Sequence, residues 1–89
     1  MNHSADPMTW LHHELVVMRG VAPSLINGNA NIAIDLGIDS LDIVELVMNA
    51  ESFYDIQIPD EDVEKLKTVN DCVIYLGKKI NPMLTFKMK

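Results

Sequence analysis

Apolar residues recur along this chain at helical rather than strand-like intervals, and they do so in four separate stretches. The strongest is Ser40–Tyr54, reading SLDIVELVMNAESFY. At about 100° per residue, Ile43, Leu46, Val47, Ala50, Phe53 and Tyr54 gather on one side as a stripe fit for a core. Leu41, Val44, Glu45, Met48, Ser52 and Asp55 fall on the opposite side, with Glu51 at its edge. A face meant only for water has little use for Leu, Val and Met. A mixture of apolar and acidic side chains suits a partner that offers a hydrophobic dimple ringed by Lys and Arg. Burial of the helix on most of its circumference is the alternative, but a short chain has few elements to bury it against. The pair Asp39-Ser40 marks the start, because a short polar side chain can accept from the orphan amides of the first turn.

The other three stretches are shorter. Asp6 reads as an N-cap and Pro7 as the first helical residue of a helix over 7–19. Met8, Leu11, Leu15 and Met18 carry its stripe, widened by Trp10, Val16 and Val17, and Gly20 closes it. His12 and His13 are adjacent, so they point in different directions and read as surface residues. A long loop follows over 21–34, with a short helical turn expected at 24–26 and with Val21, Leu25, Ile26, Ile32 and Ile34 as its anchors. Leu36 and Ile38 flank Gly37 and would tuck that turn under the main helix. Pro59 and the acids Asp60, Glu61 and Asp62 begin a short third helix anchored by Val63 and Leu66. Thr68 caps a fourth helix that runs to Ile80 on Val69, Cys72, Val73, Leu76 and Ile80 and stops at Asn81-Pro82. Residues 1–5 and the tail 82–89 are expected to be loose. The pattern therefore predicts an all-α, small four-helix bundle with a long loop between helices one and two and a short third helix. It forms one domain over 1–89, with an ordered core over about 6–81.

Charge adds a direction to this picture. The formal net charge is −6, and ten acids lie between residues 35 and 64 with no Lys or Arg among them. Such a one-signed surface repels nucleic acid and anionic membranes and attracts basic proteins. No apolar run approaches bilayer length, and no charged start precedes an apolar h-region, so neither membrane insertion nor secretion is expected. Cys72 is the single cysteine. It excludes an internal disulfide, fits a reducing compartment such as the cytoplasm, and reads as a small buried hydrophobe.

Ser40 is the candidate for chemistry, and three readings fit it. As a nucleophile it lacks the G-x-S-x-G elbow, since residues 38–42 read Ile-Asp-Ser-Leu-Asp. The nearby acids oppose an oxyanion, and no histidine is close in sequence. As a plain N-cap it would only start the helix. As an acceptor of a phosphate-bearing group it sits where free amides and the helix dipole favour a phosphodiester, with acids able to hold the divalent ion of a phosphoryl-transferring partner. A calcium sensor is excluded, because no D-x-D-x-D-G loop is present.

The segment Asp35-Leu36-Gly37-Ile38-Asp39-Ser40-Leu41-Asp42, followed by Val44-Glu45-Leu46-Val47-Met48, resembles the acyl carrier proteins of type II fatty acid synthesis. Ile58-Pro59-Asp60-Glu61 and Thr68-Val69 match at the usual distances, and Gly20-Val21 matches more weakly. The resemblance implies that Ser40, flanked by Asp39 and Leu41, carries 4'-phosphopantetheine attached from coenzyme A. The chain would then be no enzyme but a monomeric carrier of acyl thioesters. It implies docking through Leu41, Asp42, Val44, Glu45, Met48 and Glu51. The implied partners are a phosphopantetheinyl transferase and the synthases, reductases, dehydratases and acyltransferases of the pathway. It also implies an acyl cavity lined by Ile43, Leu46, Val47, Ala50, Phe53, Leu66 and Cys72. Ile38, Ala50 and Phe53 depart from the commoner family residues, and the latter two are expected to reshape that cavity and shift chain-length preference. The rival readings are a carrier for a polyketide or specialised lipid, and an acidic docking module that is never modified. A peptidyl carrier fits less well, because its serine tends to follow Gly-His or Gly-Gly.

Overall fold

A computed structural model describes residues 6–80. Asp6 opens the first helix by occupying its free donors: Oδ1 accepts from the Thr9 amide at 2.8 Å and Oδ2 from the Thr9 hydroxyl at 3.0 Å. Helix α1, Pro7–His13, continues into a π-helical turn, Glu14–Met18. One uninterrupted α-helix over 7–19 was the expectation, and the second half departs from it. In the wider turn each residue advances less around the axis, so Val17 and Met18 end exposed while Leu11 and Leu15 are fully enclosed. Gly20, at φ +71°, reverses the chain. The Val21 amide then donates to the Leu15 carbonyl at 2.9 Å, and Val21 is buried.

The loop that follows contains a 3₁₀ turn, Pro23–Leu25. Ile32 is a buried anchor and Ile26 packs against the core, as expected, but Leu25 and Ile34 are exposed. Ile34 is turned outward because its amide is drawn to Asn31 Oδ1 at 2.8 Å in a tight turn. Main-chain pairing holds the loop more than these side chains do. Asn31 and Thr68 form an isolated antiparallel bridge, in which the Ile32 amide donates to Lys67 and the Val69 amide to Ala30. The Asn70 amide also reaches the Gly28 carbonyl at 2.9 Å.

Three more helices complete the bundle: α2, Ser40–Tyr54; α3, Asp60–Val63; and α4, Val69–Ile80. Thr68 and Asp71 form a reciprocal capping box at the start of α4. Thr68 Oγ1 accepts from the Asp71 amide at 3.1 Å, and Asp71 Oδ2 accepts from the Thr68 and Lys67 amides at 3.0 Å. Those bonds hold the Asp71 carboxyl below its ordinary value of 3.8. The Tyr75 hydroxyl donates to Asp62 Oδ2 at 2.6 Å and ties α4 to the short α3.

The core gathers Trp10, Leu11 and Leu15 from α1, Leu46, Ala50 and Tyr54 from α2, and Val69, Cys72 and Leu76 from α4. Ile32, Leu36, Ile38 and Ile58 close it from the loops, and no polar side chain among the described residues is buried there. No helix among the described residues is long and apolar enough to cross a membrane. The looseness expected of residues 1–5 and 82–89 and the stop at Asn81-Pro82 lie outside the described residues.

Candidate functional site

The approach to Ser40 is built by side chains that look, in sequence, like loose acids. Asp35 Oδ2 accepts from the Asn31 amide at 2.8 Å, and the Asp35 amide returns a bond to the Asn31 carbonyl at 2.8 Å. Leu36 and Ile38 bury on either side of Gly37, whose φ of +71° bends the chain between them. Asp39 leaves this turn extended and caps α2, its Oδ1 accepting from the Asp42 amide at 2.9 Å. Asp39, not Ser40, is therefore the N-cap, which removes the plain N-cap reading of the serine. Ser40 is the first helical residue, exposed, and its hydroxyl has no hydrogen-bond partner among the described residues. The Ser40 and Leu41 amides likewise have no backbone partner among the described residues.

That arrangement fits a phosphodiester. An exposed hydroxyl stands beside two free amides at the positive end of a 15-residue helix. No group of three or more ligating side chains comes together among the described residues. The carboxylates of Asp35 and Asp39 each accept from a backbone amide through one oxygen.

The outer side of α2 exposes Leu41 at 79%, Val44 at 54% and Met48 at 60%. Its acids are less free than their sequence context implies. Arg19, arriving from the end of the π turn, pairs with Glu45, and its Nε lies 3.6 Å from Asp42 Oδ1. Glu51 is turned to another use, since its Oε2 accepts from the Ile58 amide at 2.8 Å and fixes the loop before α3. Asn49 Nδ2 donates to Glu14 Oε1 at 3.1 Å, a second polar tie between α2 and the π turn. Pairing of sequence-distant side chains left no local signal for Arg19, Asn49 or Glu14.

Inside the bundle, a cavity of about 30 Å³ lies among Leu46, Val47, Ala50, Leu66 and Cys72, closed by Trp10, Leu11, Ile58 and Leu76. It is apolar throughout and holds about one methyl-sized group. Two expected lining residues are not part of it. Phe53, expected on the inward stripe, is 36% exposed; its ring stacks on Trp10 at 6.1 Å and meets Tyr54 edge-on at 4.8 Å, outside the cavity lining. Ile43 faces a separate groove with Ile32, Val63 and Leu66. Burial pushes the Cys72 thiol up from 9.0 to about 12, with the Asp71 charge adding to it.

The family profile described as "Phosphopantetheine attachment site" matches residues 18–76. The acyl carrier protein of Bdellovibrio bacteriovorus is 55% identical over 65 residues, covering 73% of this chain and 83% of that protein. Those of Syntrophobacter fumaroxidans and Amoebophilus asiaticus are 52% and 50% identical over 59 and 60 residues, covering 66% and 67% of this chain and 73% and 75% of theirs. The chain belongs to the acyl carrier proteins. It is a carrier rather than a catalyst, serves fatty acid synthesis, and takes a covalently attached 4'-phosphopantetheine.

Proposed function

We propose that Ser40 is the attachment residue and that the exposed side of α2 is where acyl-processing enzymes dock. The observation that carries this reading is the unpartnered Ser40 hydroxyl beside two free amides, inside the segment matched by the attachment-site profile. Once attached, the group supplies a terminal thiol that holds acyl chains as thioesters. The chain's own contribution is placement. Asp39 caps the helix and holds the first turn, while the Asn31–Asp35 turn fixes the path into it. Leu41, Val44 and Met48 then present apolar contacts within the first turns of the serine.

The same geometry favours Leu46, Val47, Ala50, Leu66 and Cys72 as the wall against which an acyl chain shelters. The cavity is far smaller than an acyl chain, so the helices must part to admit one. Burial of each methylene, worth about 0.8 kcal/mol, drives that opening. Phosphopantetheinyl transferase and the synthases, reductases, dehydratases and acyltransferases of the pathway are the partners we assign. The cytoplasm is the compartment we assign, in keeping with a free, buried cysteine.

Intact mass tests the assignment. After incubation with coenzyme A, magnesium and a broad-specificity phosphopantetheinyl transferase, the chain is expected to gain a single phosphopantetheine. Ser40→Ala is expected to gain none while remaining folded. An unchanged mass for the folded natural chain would leave an unmodified acidic docking module as the better reading.

A further inference from the structure

Among the described residues, Arg19 is the cation that reaches the acidic side of α2. The stretch from Asp35 to Glu64 contains no Lys or Arg, so its ten acids would present an unbroken negative field if the chain were extended. Folding changes that. The π turn and the reversal at Gly20 deliver the Arg19 guanidinium against Glu45, with Asp42 Oδ1 at 3.6 Å and the Met18 carbonyl 3.3 Å from Nη1. Its side chain is 14% exposed, whereas that of Glu45 is 62% exposed. The cation is thus held from behind, and the acid it holds stands open to an approaching partner. The pairing is also incomplete: Nε is buried without a hydrogen-bond partner, the Asp42 oxygen lying beyond bonding distance.

We propose that Arg19 is an internal competitor for the basic side chains of docking partners, masking Glu45 and Asp42 until it is displaced. The inference rests on the docking-face reading above. A partner whose cations address Glu45 must share that carboxylate with Arg19 or push the guanidinium away. Arg19 therefore acts as a specificity-determining residue. It weakens docking by partners whose cations address Glu45 or Asp42, the transferase that must reach Ser40 among them. Exposed ion pairs are individually weak, and the expected discrimination is about threefold to fivefold at low ionic strength.

The test uses the full-length apo chain with a broad-specificity phosphopantetheinyl transferase as the probe, comparing natural chain, Arg19→Gln, Arg19→Met, Glu45→Gln and the Arg19→Gln/Glu45→Gln pair. Arg19→Met keeps the aliphatic stem against the core if Arg19→Gln proves unstable. Removing the cation is expected to lower KM by about threefold to fivefold, with the gain shrinking in high salt. Glu45→Gln is expected to be nearly silent in the natural chain, where its charge is masked, and to raise KM by a similar factor once Arg19 is gone. An unchanged or raised KM for both Arg19 variants, or an equal effect of Glu45→Gln in the two backgrounds, overturns the proposal. Leu41→Ser separates the two readings. If it raises KM while the Arg19 variants behave like the natural chain, the docking face stands and the masking role falls. If it too is silent, the docking face itself is wrong.

Discussion

Helices α2 and α4 are built from similar numbers of apolar residues and use them in opposite ways. In α4 the apolar residues keep largely to one stripe: Val69, Cys72 and Leu76 are buried, Val73 and Ile80 pack at the edge, and only Ile74 stands out in water. A capping box starts the helix, and Lys78 and Lys79 suit the negative end of its dipole. Apart from Ile74, these features of α4 serve stability. In α2, Leu46, Ala50 and Tyr54 serve the core, but Leu41, Val44 and Met48 are exposed beside acids. Its last turn carries no basic residue, and its end, Asp55, sits in the left-handed region at φ +59°. The left-handed cap still closes the helix, with the Asp55 and Ile56 amides donating to the Glu51 carbonyl, so the surplus of apolar surface is what sets α2 apart.

Substitutions on the buried stripe of α4 and the exposed side of α2 break or sharpen this contrast. The largest effect is expected at Ser40→Ala, which removes all phosphopantetheine incorporation by mass while shifting urea stability by less than about 0.5 kcal/mol, as for other exposed sites. Next, Leu76→Ala on the inner stripe of α4 is expected to cost about 2–5 kcal/mol in urea unfolding. Met48→Ala on the outer side of α2 should stay within about 0.5 kcal/mol and instead raise the transferase KM. Equal stability losses at the two positions would show that the outer face is structural.

Smaller effects follow at the helix ends. Asp71→Ala is expected to cost about 1 kcal/mol by removing the capping box, and the loss should depend on pH. The folded-state pKa of Asp71 is lowered from 3.8 by the Thr68 and Lys67 amides, so its contribution is present above that value and disappears as pH falls through the lowered one. The gap between the natural chain and Asp71→Ala should therefore close below about pH 3.8 in an acid titration followed by circular dichroism. At the other end, Asp55→Gly is expected to stabilise α2 by up to about 1 kcal/mol, because glycine accepts a positive φ without strain. Cys72 works in the alkaline direction. Its thiol pKa is raised to about 12, so the stability it contributes is intact below 9.0 and lost as pH rises from there toward 12. At pH 8 it should resist a thiol-reactive dye until the chain is unfolded.

Much of this was legible before folding. The bounds of α2, the Asp6 and Thr68 caps, the turns at Gly20 and Gly37 and the inward stripe of α4 follow from local chemistry: helical period, orphan amides, and the few residues that tolerate a positive φ. The candidate serine stood out for the same reason, its neighbours being a cap and the first turn of a strongly patterned helix. Phe53 did not, because angular position on a helix says nothing about where a cavity ends along it. In the folded chain Phe53 stays partly exposed with its ring against Trp10, outside the cavity lining.

The sequence by itself determined where the four helices begin, the Asp6 and Thr68 caps, and which face of α2 carries Leu41, Val44 and Met48. Each of these depends on residues within a turn or two of one another. Tertiary structure alone decided the π turn that exposes Met18, the strap between Asn31 and Thr68, the hold of Glu51 on Ile58, and the pairing of Arg19 with Glu45. Three of them join groups that are near only after the bundle closes, and the π turn exposes its side chains only relative to that closed core. Charge felt across space, unlike helical period, has no signature along the chain.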